Sequence, residues 1–145
     1  MKTGKILVLN GPNLNMVGIR EPGIYGNKTL DSINSAISTY GAGMKLSCDF
    51  FQSNSEGEII DKIHSVFTDY DGCVINAGAL THYSYAVRDA IAAVNKPFIE
   101  VHMSNVAARE EFRHTSVIAP VCKGSIAGFG MNSYLLAINA MRDLI

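Results

Sequence analysis

Apolar positions along the chain switch between two spacings. Ile6-Leu7-Val8-Leu9, Cys73-Val74-Ile75 and Phe98-Ile99-Glu100-Val101 are short, nearly continuous apolar runs, each opening into a polar turn, as in strands buried on both faces. Leu46, Cys48 and Phe50 alternate in a further strand, which Phe51-Gln52-Ser53-Asn54 ends. Between these runs the spacing becomes helical. Thr29 is placed to cap a helix presenting Leu30, Ile33, Ile37 and Tyr40, with Gly41 and Gly43 to stop it. Ser55-Glu56-Gly57-Glu58 has capping-box spacing ahead of Ile59, Ile63, Val66 and Phe67. A third helix runs from about Ser84, with Val87, Ile91 and Val94 inward, to the break at Asn95-Lys96-Pro97. A polar loop able to hold a short helix covers Asn105 to Thr115, Val117-Ile118-Ala119 reads as a short fifth strand, and Asn132 to Ile145 as a closing helix.

Strands that alternate with helices imply right-handed crossovers and a parallel sheet covered on both faces. The expectation is an α/β fold, a flavodoxin-like doubly wound five-stranded parallel sheet of order 2-1-3-4-5, forming a single domain over residues 1–145. Ligands in such sheets bind beyond the carboxyl ends of the strands, where strand order reverses. Here that crevice lies between the first and third strands, walled by residues 10–26, 76–83 and 102–113.

Composition narrows the function classes. A chain of 145 residues buries roughly 68–70% of its unfolded surface without staples. The net charge of −1 is spread along the chain, so neither a nucleic-acid-binding stripe nor an acidic tail is present. Cys48, Cys73 and Cys122 form no Cys-x-x-Cys pair, which argues against a zinc knuckle or redox motif, and Cys48 and Cys73, in apolar strand-like runs, read as reduced core residues of a cytosolic protein. Neither a signal-peptide core nor a membrane-length apolar run is seen, and the expected location is cytoplasmic.

The crevice loops carry the polar chemistry. Asn10-Gly11-Pro12-Asn13 is neither a dinucleotide fingerprint nor a Walker loop; Asn13 is either an amide donor to a ligand or a turn asparagine. Asn76 to Ser84 offers an amide, the His82 imidazole and backbone N–H groups suited to a carboxylate, while His82 alone also fits a helix cap. Glu100 and His102, two apart on one strand, face the same way, so the carboxylate can orient the ring as a general acid; a structural histidine is the competing reading. Arg109 and Arg113 have helical i, i+4 spacing and point either into the crevice or, paired with Glu110 and Glu111, to solvent. A metal held by His82 and His102 lacks an evident third ligand. No lysine ends a strand and no serine sits in a nucleophile elbow, which leaves metal-free proton transfer beside a carbonyl.

The long loop closing at Ile19 to Gly26 adds a phenol and a cation, Tyr25 and Arg20, among Gly18, Gly23 and Gly26. Loops of this length in compact domains are commonly lids. A phenol of pKa about 10 must lose roughly 2–3 units, or about 3–4 kcal/mol, to act as a base near neutrality, and a nearby guanidinium favours its charged form. A solvated Arg20 and an anchoring Tyr25 are the alternative.

Taken together, Leu9-Asn10-Gly11-Pro12-Asn13-Leu14-Asn15, Arg20-Glu21-Pro22 with Tyr25-Gly26, Gln52-Ser53-Asn54, Asn76-Ala77-Gly78, Thr81-His82, Glu100 to Asn105 and Arg109 to Arg113 resemble the type II 3-dehydroquinate dehydratases of the shikimate and quinate pathways, over essentially the whole chain. The resemblance implies anti elimination of water from 3-dehydroquinate through an enolate, giving 3-dehydroshikimate. It implies Tyr25 as the proton acceptor, Arg20 as the group holding it ionised, Asn13 as enolate stabiliser through a water, and His102, oriented by Glu100, as the proton donor. Asn76 and the N–H groups of Met103 and Ser104 would hold the substrate carboxylate, His82 and Arg113 the ring hydroxyls, and Arg109 would add positive potential. Asp89 would reach a neighbouring subunit's site in a homododecamer, a tetramer of trimers. Neither cofactor nor metal is implied. Ser55 and Thr115 depart from the histidine or basic residues frequent at their positions. The competing class is a non-enzymatic flavodoxin-like module binding a small anionic ligand.

Overall fold

The computed structural model describes residues 1–19 and 28–145. Five parallel strands, β1 (Gly4–Asn10), β2 (Leu46–Gln52), β3 (Gly72–Asn76), β4 (Phe98–His102) and β5 (Gly124–Ala127), lie in the order β2-β1-β3-β4-β5. This is the flavodoxin-like 2-1-3-4-5 sheet that the sequence predicts. The connecting helices are α1 (Leu30–Ala42), α2 (Glu56–Asp69), α3 (Tyr85–Val94) and the closing α4 (Asn132–Arg142).

Because strand side chains alternate, β1 serves two cores at once. Leu7 and Leu9 join Ile59, Ile63 and Val66 of α2 and Val87, Ile91 and Val94 of α3. Ile6 and Val8 face the other way, onto Ile33 and Ile37 of α1 and Tyr134, Ala137, Ile138 and Met141 of α4. Every predicted cap forms: Thr29 accepts from Ser32 N–H, Ser55 from Glu58 N–H and Ser84 from Val87 N–H. The α2 cap is a relay and not a reciprocal box. Glu58 accepts from the Ser53 hydroxyl, which in turn accepts from Ser55 N–H.

Four expectations need correction. Val117-Ile118-Ala119 is not the fifth strand. Ile118 is buried beneath the α2–α3 layer, Val117 N–H bonds the Thr81 carbonyl at 2.8 Å, and Ala119–Val121 is a single 3-10 turn. The strand is Gly124–Ala127, a short edge strand that is exposed or half-buried throughout, which needs no apolar run and therefore shows none. Arg109 and Arg113 do not share a helix; separate 3-10 turns at Val106–Ala108 and Glu111–His114 carry the segment. Tyr40 and Phe67, read as inward, are exposed. The α1 helix also runs through Gly41, whose missing side chain lets Cys48 Sγ and the Leu46 carbonyl approach, and Gly43 caps it.

Candidate active site

The last residues of β3 and β4, with the loops that follow β1, β3 and β4, line one pocket. The pair at its base is fixed by strand geometry. Glu100 and His102 lie on the same face of β4, and His102 Nε2 donates to Glu100 Oε2 at 2.5 Å with both residues buried. The other carboxylate oxygen accepts from Ser116 Oγ at 2.9 Å and Ser125 Oγ at 3.3 Å. Burial pushes the Glu100 carboxyl up, but the hydrogen bond and charge of His102, with the two serine hydroxyls, outweigh it and hold the group below its ordinary value. Glu100 is therefore an anion behind the imidazole, and among the described residues none bonds His102 Nδ1.

His82, in the 3-10 turn Gly78–His82, lies near-parallel to the His102 ring with centroids 6.1 Å apart, and Phe112 meets it edge-on. Its Nδ1 donates to the Thr115 carbonyl at 2.8 Å. Burial lowers its pKa; the Thr115 bond opposes this, and repulsion from His102 and Arg113 adds to it.

Asn76 ends β3 directly beside Asn10, its registered neighbour at the end of β1. Tyr134, fully buried on α4, bridges the two: its hydroxyl accepts from Asn76 Nδ2 at 2.9 Å and donates to Asn10 Oδ1 at 2.6 Å. Asn76 Oδ1 accepts from Gly78 N–H at 3.2 Å. The amide orientation is thereby set, and one Nδ2 hydrogen is left for the pocket. Asn13, in the left-handed conformation at φ 72°, is held by its own N–H to Asn54 Oδ1 at 2.9 Å and brings its side chain to the same pocket.

Arg109 and Arg113 also line the pocket despite lying on different turns. The exposed Glu110 gathers them, with Oε1 3.0 Å from Arg113 Nε and 3.6 Å from Arg109 Nε, and Arg109 Nη1 donates to Ser104 Oγ at 3.3 Å. The bonds to Arg113 and its charge hold Glu110 below the ordinary carboxylate range. At the exit of β4, the His102 and Met103 carbonyls accept from Gly128 and Gly130 N–H at 3.2 and 2.9 Å.

A family profile described as dehydroquinase class II matches residues 4–142. The chain belongs to the class II dehydroquinases. A 3-dehydroquinate dehydratase of Caldicellulosiruptor bescii is 56% identical over 142 residues, covering 97% of this chain and 98% of that protein. The crystal structure of a type II dehydroquinase from Butyrivibrio crossotus superposes with a TM-score of 0.94 at 52% identity, covering 97% of this chain and 98% of that one. A type II dehydroquinase structure from Propionibacterium acnes gives a TM-score of 0.92 at 44% identity, with 96% of each chain covered.

In this class II dehydroquinase, eight of the expected site residues line one pocket: Asn13, Asn76, His82, His102, Met103, Ser104, Arg109 and Arg113. Glu100 sits behind them. Asp89 is exposed on α3 and is not part of that lining. Arg20 and Tyr25 lie outside the described residues. Of the two sequence departures, Ser55 is the α2 cap and Thr115 acts through its backbone carbonyl, so neither needs a basic side chain for the contact it makes.

Sequence reasoning missed Asn10, Tyr134, Ser116 and Ser125. Asn10 was findable, since, like Asn76, it closes an apolar run at the carboxyl edge of neighbouring strands. Tyr134 carried a weaker signal, a hydroxyl-tipped residue at core spacing with Ala137, Ile138 and Met141. Among the described residues, no group of three or more His, Cys, Asp or Glu is arranged to hold a metal. The thiols are unactivated: burial pushes Cys48 up to about 11 and Cys122 to about 12, each helped by a neighbouring carboxylate.

Proposed function

We propose that this class II dehydroquinase eliminates water from 3-dehydroquinate, in anti fashion through an enolate, to give 3-dehydroshikimate. The observation that carries the mechanism is the buried Glu100–His102 pair at the base of a pocket walled by amides and guanidiniums. A binder of small anions would use the arginines and amides but has no need of a carboxylate behind an imidazole.

On this reading Tyr25, kept ionised by Arg20, removes the C2 proton, and the charge moves into the enolate. Asn13 stabilises that oxygen through a water. His102, protonated and aimed by Glu100, delivers a proton from Nδ1 to the departing C1 hydroxyl, which leaves as water. Asn76 and the Met103 and Ser104 N–H groups hold the substrate carboxylate, His82 and Arg113 take ring hydroxyls, and Arg109 raises the local positive potential. The chemistry suits either the shikimate pathway or quinate catabolism.

The same reading makes residues 18–26 a lid. Residues 20–26 of it lie outside the described residues; of the flanking positions, Gly18 has φ 85°, and a Cβ there would lie 2.7 Å from the Lys28 carbonyl. A lid over bound substrate will resist protease only when ligand is present, and equal cleavage with and without ligand would refute it. We further infer a cytoplasmic homododecamer in which Asp89 reaches a neighbouring site. The exposed Tyr83 and Tyr85, close to Asp89 in sequence, supply apolar surface for such contacts. No helix among the described residues is long and apolar enough to cross a membrane.

The test is an ultraviolet assay for the conjugated enone with purified protein, 3-dehydroquinate and a chelator. Wild type will form enone, while Tyr25→Phe and His102→Ala will each lose about 10²–10⁴-fold in kcat. Absence of enone from folded, assembled wild type would overturn the assignment.

A further inference from the structure

Glu100 faces His102 with one oxygen only. Its other oxygen, Oε1, accepts from hydroxyls on two separate segments: Ser125 on β5, registered opposite Glu100 in the sheet, and Ser116 on the loop after His114. The direction of the Ser116 bond follows from its second contact. Ser116 Oγ already accepts from Ala119 N–H at 3.0 Å, so the single hydroxyl proton is free to point at Glu100. A proton on Oε1 would break this arrangement by setting a third donor against two others.

We propose that Ser116 and Ser125 are positioning residues for the dehydration, a hydroxyl clamp that holds Glu100 as an acceptor-only carboxylate with Oε2 aimed at His102. The proposal rests on the role given to His102 above. Its consequence is that the proton shared by the pair stays on the imidazole, where it can reach substrate. Residues 115 and 116 then govern both histidines, Thr115 through its carbonyl to His82 and Ser116 through Glu100 to His102. The other titratable or charged groups around the pair are His82, stacked on His102, the Cys122 thiol near Glu100, and Arg109 and Arg113 across the pocket. None of them bonds Oε1, so none substitutes for a lost hydroxyl.

Two measurements on the full-length assembled protein test the clamp, using Ser116→Ala, Ser125→Ala, the double alanine variant and the double threonine variant. The first follows the Glu100 carboxyl by carbon NMR in glutamate-labelled protein. Loss of donors to the anion makes it take up a proton at higher pH, by about one pH unit in the double alanine variant, and threonine restores the wild-type titration. The second is steady-state kinetics: the double alanine variant loses about tenfold or more in kcat with KM nearly unchanged, and threonine recovers most of the loss. A folded alanine variant with an unshifted Glu100 titration would overturn the proposal, as would a change in KM alone. If wild type formed no enone, the dehydratase reading would fall, and the carboxyl titration would still decide the clamp.

Discussion

The His82 and His102 rings lie 20° from parallel with 6.1 Å between centroids, yet one is bonded to a charged acceptor and the other to a neutral one. His102 faces a carboxylate and His82 a backbone carbonyl. A carbonyl only accepts, so Nδ1 of His82 carries a hydrogen and Nε2 is left as an acceptor in the neutral ring. Burial holds its pKa below the ordinary 6.5. Above that value the ring is neutral whether the chain is folded or unfolded. Below it the unfolded chain takes up a proton first, so stability declines as pH falls, down to the folded-state value. Histidine-ring NMR will show His82 neutral at pH 7 and titrating below 6.5, and His82→Gln will flatten the decline in urea-unfolding stability below pH 6.5. A His82 resonance titrating above the ordinary value would contradict the structure.

Glu100 adds its own acid-side dependence. Its folded value lies below the unfolded 4.5, so the stability it contributes is fully present above 4.5 and disappears as pH falls through the folded value. Glu100→Gln will remove that part of the acid sensitivity below pH 4.5. Unfolding curves at stepped pH that overlay for the two proteins would show the carboxylate to be unperturbed.

Tyr134→Phe deletes the hydroxyl that links Asn10 to Asn76 and leaves two buried amide groups short of a partner. The expected cost is about 1–3 kcal/mol in urea unfolding, with the m-value unchanged. Because Asn76 also loses its orientation, KM will rise more than kcat falls. A variant as stable as wild type with unaltered KM would show that the bridge does neither.

Gly11→Ala probes the contact between the β1 and β3 loops. A Cβ at Gly11 would lie 2.5 Å from the Ala77 carbonyl oxygen, where Gly11 N–H already bonds the Asn76 carbonyl at 2.8 Å. The walls carrying Asn13 and Asn76 must then separate. Stability will fall by about 1–3 kcal/mol and KM will rise together with it. Wild-type thermal unfolding and KM in this variant would mean that the loops yield freely.

Ile118→Ala tests whether the segment Val117-Ile118-Ala119 is core. The side chain is fully buried, so its truncation will cost about 2–5 kcal/mol by chemical denaturation, whereas a surface residue would cost little. A change below about 0.5 kcal/mol would place Ile118 outside the core.

Most of the fold was legible because Leu7 and Leu9 against Ile6 and Val8 write the two-sided core of a parallel sheet directly into residue order, and Ser55 and Ser84 mark helix starts by mechanism. The fifth strand was not legible, since Gly124-Ser125-Ile126-Ala127 at a sheet edge needs little apolar content, while Ile118 is apolar for a different reason. Within the site, Glu100 and His102 could be paired from spacing alone. Arg109 and Arg113 reached the pocket by a route that helical periodicity does not describe. Ser116, Ser125 and Tyr134 come to the site only through tertiary contacts 16, 25 and 58 positions away from their partners, and no local pattern encodes such distances.

The glycines after β5 have an effect at a place they never touch with a side chain. In a trans peptide the carbonyl of one residue and the N–H of the next lie on opposite edges of one rigid plane. Gly128 and Gly130, at φ 101° and 63°, capture the carbonyls of His102 and Met103, and so turn the N–H groups of Met103 and Ser104 the opposite way. The compass bearing of the two amides assigned to the substrate carboxylate is thus set by a hairpin-like bend in the chain more than twenty residues downstream. Replacing the pocket's own side chains would leave that bearing intact, while a single Cβ at either glycine, in a conformation side chains rarely adopt, would turn it.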